Sequence, residues 1–484
     1  MRPAFSLLFL LVVIAGASPA YGYDWQVSAE TVGQGYQVRR LLDDGQTEML
    51  SRRRLIQDLG LGVYNLVPWS WTNEGRENQV FFVTRFRFES DFGSYPARAA
   101  REQIPELERY NVTWLYGYLG VNDLFGRLDL RLGRQISMDF MDFFAFDGLS
   151  MRLRLPWYVL LEAHGGAAVL AEWPLASPIF QLDGTSRHNR VAETRPELQD
   201  APAASVGAAL ETAGIRDVFA RIGYRATLSV ADKQLEGEGR AAFLDEHISF
   251  QAQASFFRGR LQPAVGVRWD FLGARVDQAE ASLRGEVVRN HKAVVEYLHA
   301  APTFDGDSIF NVFATRPLED VRVGWDYEKN KVAAYGRGFV RFLKDESMDS
   351  VRWTLDAGGA AGVAVSTGRG RVRCDAYYED GAGGLRAGAD LRGRYALVPG
   401  WLFADGRTTL VVSWPGHSTE ERIGEPSGHT SFGVEGGLWW TPARALAVHV
   451  IGYGNLSSIE HSLGFFALVE MQAWLFETFR KGQR

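Results

Sequence analysis

The chain has 484 residues, a formal net charge of −6 and a single cysteine, Cys374, with 46% hydrophobic and 23% charged residues. The mild acidic balance argues against a nucleic-acid binder, and one cysteine excludes an intramolecular disulfide. Glycine is abundant (52 residues) and 13% of the chain is aromatic, a composition that suits turns and packed strands better than helices.

The first 22 residues read as a secretory signal. Arg2 is its charged start, Leu7 to Ala15 its apolar core, and the small residues up to Ala20 and Gly22 its cleavage region. No cysteine adjoins it, so no lipid anchor is expected. No later run reaches the ~18 apolar residues of a membrane-spanning helix. Residues 23–484 read as one domain. The first strand starts so near the cleavage site that no N-terminal plug domain is expected.

Beyond the signal the pattern has period two. Phe81 to Asp91 shows it best: Phe82, Thr84, Phe86 and Phe88 alternate with Arg85, Arg87, Glu89 and Asp91. A strand sends successive side chains to opposite faces, so one face is aromatic and the other charged. The same alternation predicts strands over 25–39, 53–66, 79–91, 109–120, 126–136, 148–155, 157–169, 204–212, 217–229, 246–257, 260–271, 278–288, 291–300, 320–327, 331–343, 351–363, 370–379, 384–395, 400–413, 431–440, 445–453 and 462–476. Short gaps, such as Asn122 to Phe125, Pro156-Trp157, Arg258-Gly259 and Arg289-Asn290, follow even-numbered segments. The long gaps 92–108, 137–147, 170–203, 230–245, 301–319 and 414–430 follow odd-numbered ones. Val67 to Asn78 is the exception, a long gap on the short side.

That arrangement predicts an all-β fold: an antiparallel up-and-down transmembrane β-barrel of about 22 strands (range 16–22). The bacterial outer membrane is the location that fits, with N- and C-termini periplasmic. Charge on the lipid face at mid-membrane would cost roughly 2–4 kcal/mol per residue, and the assigned faces avoid it almost everywhere. Tyr110, Val112, Trp114, Tyr116 and Tyr118 are read as one lipid face, and Val372, Cys374, Ala376 and Tyr378 as another. Leu463 to Leu475 alternates as a continuous apolar face. It is similar to the closing strand that barrel-assembly machinery recognises, with Trp474 and Phe476 as its aromatics.

The opposite faces supply the candidate pore-lining residues: Arg85, Arg87, Glu89, Arg127, Asp129, Arg131, Arg152, Arg154, Arg221, Arg225, Arg268, Asp270, Arg322, Arg337, Arg341, Arg386, Asp390 and Arg392. Rings of arginine favour anions, and a guanidinium fork binds carboxylate or phosphate through two bonds. The competing reading is a wall of cross-strand ion pairs that stiffens the barrel. The longest gap, Trp173 to Ser205, is read as an external or partly infolded loop. No GxSxG elbow or placed nucleophile–base pair is visible, and Ala301 to Asp320 lacks the alternate ligand spacing of a calcium loop. Neither catalysis, a metal nor a cofactor is therefore expected.

Arg131-Leu132-Gly133-Arg134-Gln135, followed by Phe146-Asp147-Gly148-Leu149, resembles a hairpin stretch of porin-like outer-membrane channels, notably the alginate-export family. The resemblance covers about twenty residues and implies a channel, in that family one carrying an anionic polysaccharide outward through an arginine-lined lumen. It implies polysaccharide-export partners beside outer-membrane lipid and the assembly machinery. A folding signature of such hairpins is the alternative meaning of the motif. The expected function is thus an outer-membrane channel passing or exporting small or polymeric polar solutes, anionic saccharides among them. The alternatives are a non-conducting anchor barrel of an envelope complex and, behind it, an outer-membrane hydrolase.

Overall fold

Period-two patterning, with aromatic and β-branched residues on one side of each segment, leaves the backbone no helical stripe to bury, and the described residues fold as strands joined by turns. The computed structural model describes residues 24–41, 47–66, 80–91, 110–138, 143–169, 203–229, 243–301, 317–347, 350–381, 384–415, 428–443, 445–457 and 460–475. The expected signal segment, all of Val67 to Asn78, most of the Trp173–Ser205 loop, His417 and Phe476 lie outside the described residues.

Twenty-two strands and no helix appear among the described residues. They are β1 (Asp24–Leu41), β2 (Thr47–Tyr64), β3 (Val80–Asp91), β4 (Tyr110–Leu124), β5 (Leu128–Met138), β6 (Phe143–Leu155), β7 (Val159–Ala168), β8 (Ala203–Thr212), β9 (Val218–Ser229), β10 (Phe243–Ala254) and β11 (Leu261–Asp270). The second half comprises β12 (Arg275–Val288), β13 (His291–Ala300), β14 (Leu318–Lys329), β15 (Val332–Ser347), β16 (Ser350–Ser366), β17 (Gly370–Gly381), β18 (Gly384–Val398), β19 (Leu402–Pro415), β20 (His429–Ala443), β21 (Leu446–Ser457) and β22 (Glu460–Leu475). Each strand pairs antiparallel with the next in sequence. β1 pairs with β22 from Trp25↔Leu475 to Arg40↔Glu460, which closes the sheet and removes both edges. At ~4.8 Å per strand and a tilt near 40°, such a barrel is about 40 Å across, too wide for wall side chains to meet over its middle.

The connections after even-numbered strands are short from β4 onward, as expected: 125–127, 156–158, 213–217, 255–260, 289–290, 330–331, 367–369, 399–401 and 444–445. Those after odd-numbered strands vary, from the two residues of 348–349, 382–383 and 458–459 to the long 169–202. Two expectations are corrected. The gap 137–147 contracts to 139–142, because Phe144 and Phe146 belong to β6. Phe146 turns inward and is 2% exposed, so its apolar side chain falls on the face where the alternation calls for charge. His429, read as a loop residue, opens β20.

A further correction concerns β4. Arg85 pairs with Tyr116 but Phe86 with Trp114, so Leu115 has no partner and forms a β-bulge. One extra residue reverses the faces beyond it. Val112 and Trp114 stay on the outer face, as expected, whereas Tyr116 and Tyr118 move to the inner face with Arg85 and Val83. A bulge leaves no mark in a period-two pattern made of aromatics on both sides.

Candidate functional site

The two faces are told apart by how their side chains meet. On the concave side of a closed sheet, side chains from strands two apart converge, whereas on the convex side they diverge. Arg85 of β3 reaches Glu30 of β1 at 2.8 Å, Arg221 of β9 reaches Glu162 of β7 at 2.5 Å, and Tyr335 of β15 donates to Asp375 of β17 at 2.7 Å. These charged faces are the interior. On the other face polar contacts join adjacent strands, as in Tyr224 Oη to Glu246 (2.8 Å) and Tyr297 Oη to Glu319 (2.5 Å). That face exposes Phe88, Leu132, Val323, Leu391 and Phe465, and Cys374 is exposed there too, beside Val372 and Tyr378.

The inner wall carries three runs of paired charge. In the first, Asp58 accepts from Arg85 (2.9 Å) and from both Nε and Nη2 of Arg87 (2.8 and 3.0 Å), while Glu89 pairs with Arg54. Asp58 sits at 4% exposure beneath those two guanidiniums. The second run spans β4 to β12. Arg154 bridges Asp123 (2.8 Å) and Asp129 (2.9 Å), and Asp129 also accepts the Asp123 amide. Arg152 and Arg221 share Glu162 and Glu211. Arg225 donates to Asp245 (3.2 Å) and lies over the Phe144 ring (4.7 Å), and His247 meets the same Asp245 at 2.5 Å. Arg268 pairs with the buried Asp277 at 2.7 Å, and Asp270 accepts the Leu272 amide at the head of its turn.

The third run covers β14 to β19. Asp320, fully buried, holds Arg322 (2.9 Å) and Arg341 (3.3 Å), and Arg337 pairs with Asp326 (2.6 Å). Asp375 binds Arg373 (2.7 Å), and Asp390 takes Arg392 (2.9 Å), Arg407 and Thr409. Arg131 and Arg386 differ: they stack on Tyr118 and Tyr377 and have no carboxylate partner among the described residues. Arg127 is corrected. It lies in the turn after β4, at the rim rather than on the wall, because Gly126 and Arg127 donate their amides to Asp123 and Leu124 and close the hairpin there.

Sequence reading placed Glu89, Asp129, Asp270 and Asp390 on this face but missed other acids that organise the runs. Glu30 and Asp58 sit in the two strands with the weakest alternation, and Asp320, Asp245 and Asp277 lie at strand ends or on a bulge. An acid directly across from an arginine-bearing strand is a signal only once the pairing is known.

The motif stretch builds a local irregularity. Gly133 has φ +130° and faces Gly148 across β5–β6. A Cβ on Gly148 would lie 2.1 Å from the Gly165 carbonyl oxygen, so the backbones approach too closely for any other residue. Gln135, at 4% exposure, donates to the Arg131, Gly133 and Gly148 carbonyls and accepts from Ser150. Arg134 and Asp147 form a two-bond pair (2.8 Å each) on the outer face, with the guanidinium stacked on Trp114 at 4.9 Å. Every member of the motif that makes a polar contact thus supports the wall, which favours the folding-signature meaning.

Taken together, the fold and its wall define a class: a closed, antiparallel, up-and-down β-barrel with an apolar exterior and a charge-compensated interior. No protein-family model matches the chain, and no curated protein matches its sequence. Among solved structures it is similar to OccK7 (OpdD) of Pseudomonas aeruginosa, at 11% identity over 94% of this chain and 100% of that one, TM-score 0.42. It is also similar to a BenF-like porin of Pseudomonas fluorescens Pf-5 (9% identity, 94% and 99% covered, TM-score 0.41) and to the translocation pore of the P pilus usher PapC (13%, 93% and 99%, TM-score 0.46). Nothing about the solute of this chain is taken from them.

Proposed function

We propose that this protein is an outer-membrane channel for small polar solutes, with a wall of compensated charge that gives it weak ion selectivity. The observation that carries the reading is the pairing of faces: an apolar exterior fit for lipid, around an interior whose arginines mostly partner carboxylates. A barrel of this width with such a wall is wet inside unless something fills it. The residues from Arg85 to Arg392 named above, Arg127 excepted, would line that lumen, and its side chains would act by screening and guiding rather than by tight capture. Arg131 and Arg386, free of carboxylates, tilt the balance toward anions. Short turns at the end holding both termini support a periplasmic location for that end. Anionic saccharides are the first solutes to test, because the guanidinium forks of Arg131 and Arg386 suit carboxylates.

Refolded protein in a planar bilayer is expected to give large, stable single-channel conductance, with a small anion preference that fades as salt is raised. Absence of conductance from a correctly folded barrel would reject the channel and favour an anchor barrel stiffened by its ion pairs.

A further inference from the structure

The turns at the short end of the barrel do not look alike. Four consecutive ones, from β4–β5 to β10–β11, carry Phe125, Trp157 with Tyr158, Ile215, and Phe256 with Phe257. Phe125 is 89% exposed, Trp157 86% and Phe257 75%. Four of these aromatics hold positive φ: Phe125 (55°), Trp157 (63°), Tyr158 (62°) and Phe257 (55°). Bulky side chains rarely adopt that conformation, and asparagine or glycine relieves it. Neighbouring turns use the relieving residue, with Asn290 and Asn330 at φ 70° and 55°. Strained backbone presenting exposed rings gives nothing to folding, and such outliers point to function.

Arginines are set among the rings: Arg127, Arg216, Arg258 and Arg260. Arg216 is almost fully exposed, and Arg127 and Arg258 have no carboxylate partner among the described residues. The arc has an end. Val287 and Val288 flank it, and the following tips, Asn330-Lys331 and Thr367 to Arg369, are polar. Farther round, Trp401 is half-exposed without positive φ. A membrane leaflet surrounds a barrel and would reward anchors all the way round. Among the described turns, strained aromatic tips with positive φ are confined to this sector, which fits a discrete body.

We infer that this crest of aromatic turns is a docking surface for a periplasmic protein that presents apolar pockets flanked by carboxylates. The inference rests on the reading of the short-turn end as periplasmic. Six strand spacings separate the first turn from the last, roughly 30 Å. The exposed rings supply several hundred Å², within reach of the roughly 800 Å² that each partner gives to a stable interface. Rigid aromatics ringed by arginine are the residue types that dominate such interfaces.

The test places a photo-crosslinking amino acid at Phe125, Trp157 and Phe257 of the full chain in its own cells, with Asn330 and Gly368 as controls. The expected result is an adduct of one common protein mass at the three crest positions and none at the controls, falling at least tenfold when Arg216→Glu and Arg258→Glu are combined. No adduct, equal adducts round the rim, or adducts indifferent to the charge reversal would overturn the proposal. A second readout addresses lipid. A polarity-sensitive dye on Phe125→Cys, in a Cys374→Ala background, should report water in vesicles of phosphatidylethanolamine and phosphatidylglycerol. A blue-shifted, lipid-embedded signal would make the crest a membrane anchor and overturn the docking role. Labelling of the same cysteine in intact cells by a thiol reagent that cannot cross the outer membrane would instead refute the periplasmic orientation.

Discussion

Asp390 shows what the inner wall does with charge. One carboxylate holds Arg392, Arg407 and Thr409 at once, so two guanidiniums are tied to a single acid. Removing its charge frees them toward the lumen without removing a cation. A unit charge ~10 Å away in water is worth about 0.4 kcal/mol, about a twofold change in local anion concentration. Asp390→Asn is therefore expected to raise the anion-over-cation permeability ratio about twofold, read as a shifted reversal potential in a salt gradient, and to lose that gain in molar salt. An unchanged ratio would mean that these arginines face no permeant ion. Gln135 makes the complementary case for structure. Its side chain occupies three backbone carbonyls that the Gly133 distortion leaves available, and Gln135→Leu leaves them unsatisfied. A loss of about 1–3 kcal/mol in denaturant unfolding is expected, with conductance retained. At this scale the arginines and some of the acids, Asp390 among them, were legible from alternation, while the pairing of acid with arginine was not, because an acid on an adjacent strand has no fixed sequence offset.

Single strands put the face assignment to the sharpest test. On β12, Leu283 points outward between Pro263 and Val295, and Ser282 points inward between Ala264 and Glu296. Leu283→Arg should destabilise the barrel by roughly 2–4 kcal/mol, as a cation at lipid depth does. Ser282→Arg, one residue away, should fold normally, since Glu296 stands opposite it. Folding yield in vesicles and the heat-modifiable gel shift separate the two outcomes, and equal behaviour would contradict the inside–outside assignment. β4 shows the limit of face reading. Its upper half follows the sequence pattern, but the Leu115 bulge sends Tyr116 and Tyr118 inward, where Tyr118 supports Arg131.

Closure is a property of the whole molecule. β1 and β22, nearly 450 residues apart in sequence, meet over sixteen residue pairs. Ala467 sits inside that seam, opposite Gly33 on one side and Val450 on the other. Proline there removes an amide donor from a strand paired on both sides and should prevent closure. Ala467→Pro is expected to abolish the heat-modifiable form and the conductance together, whereas a barrel that still closes would show the seam to be dispensable. The existence of the strands, their number to within a range of 16–22 and the side on which most turns stay short were determined by the sequence alone, because period-two alternation and turn residues are local properties written residue by residue. The tertiary structure decided which acid meets which arginine, where a bulge reverses a face, and which turn tips stand side by side as one crest. Those depend on register between strands and on curvature, and neither exists until the sheet has closed.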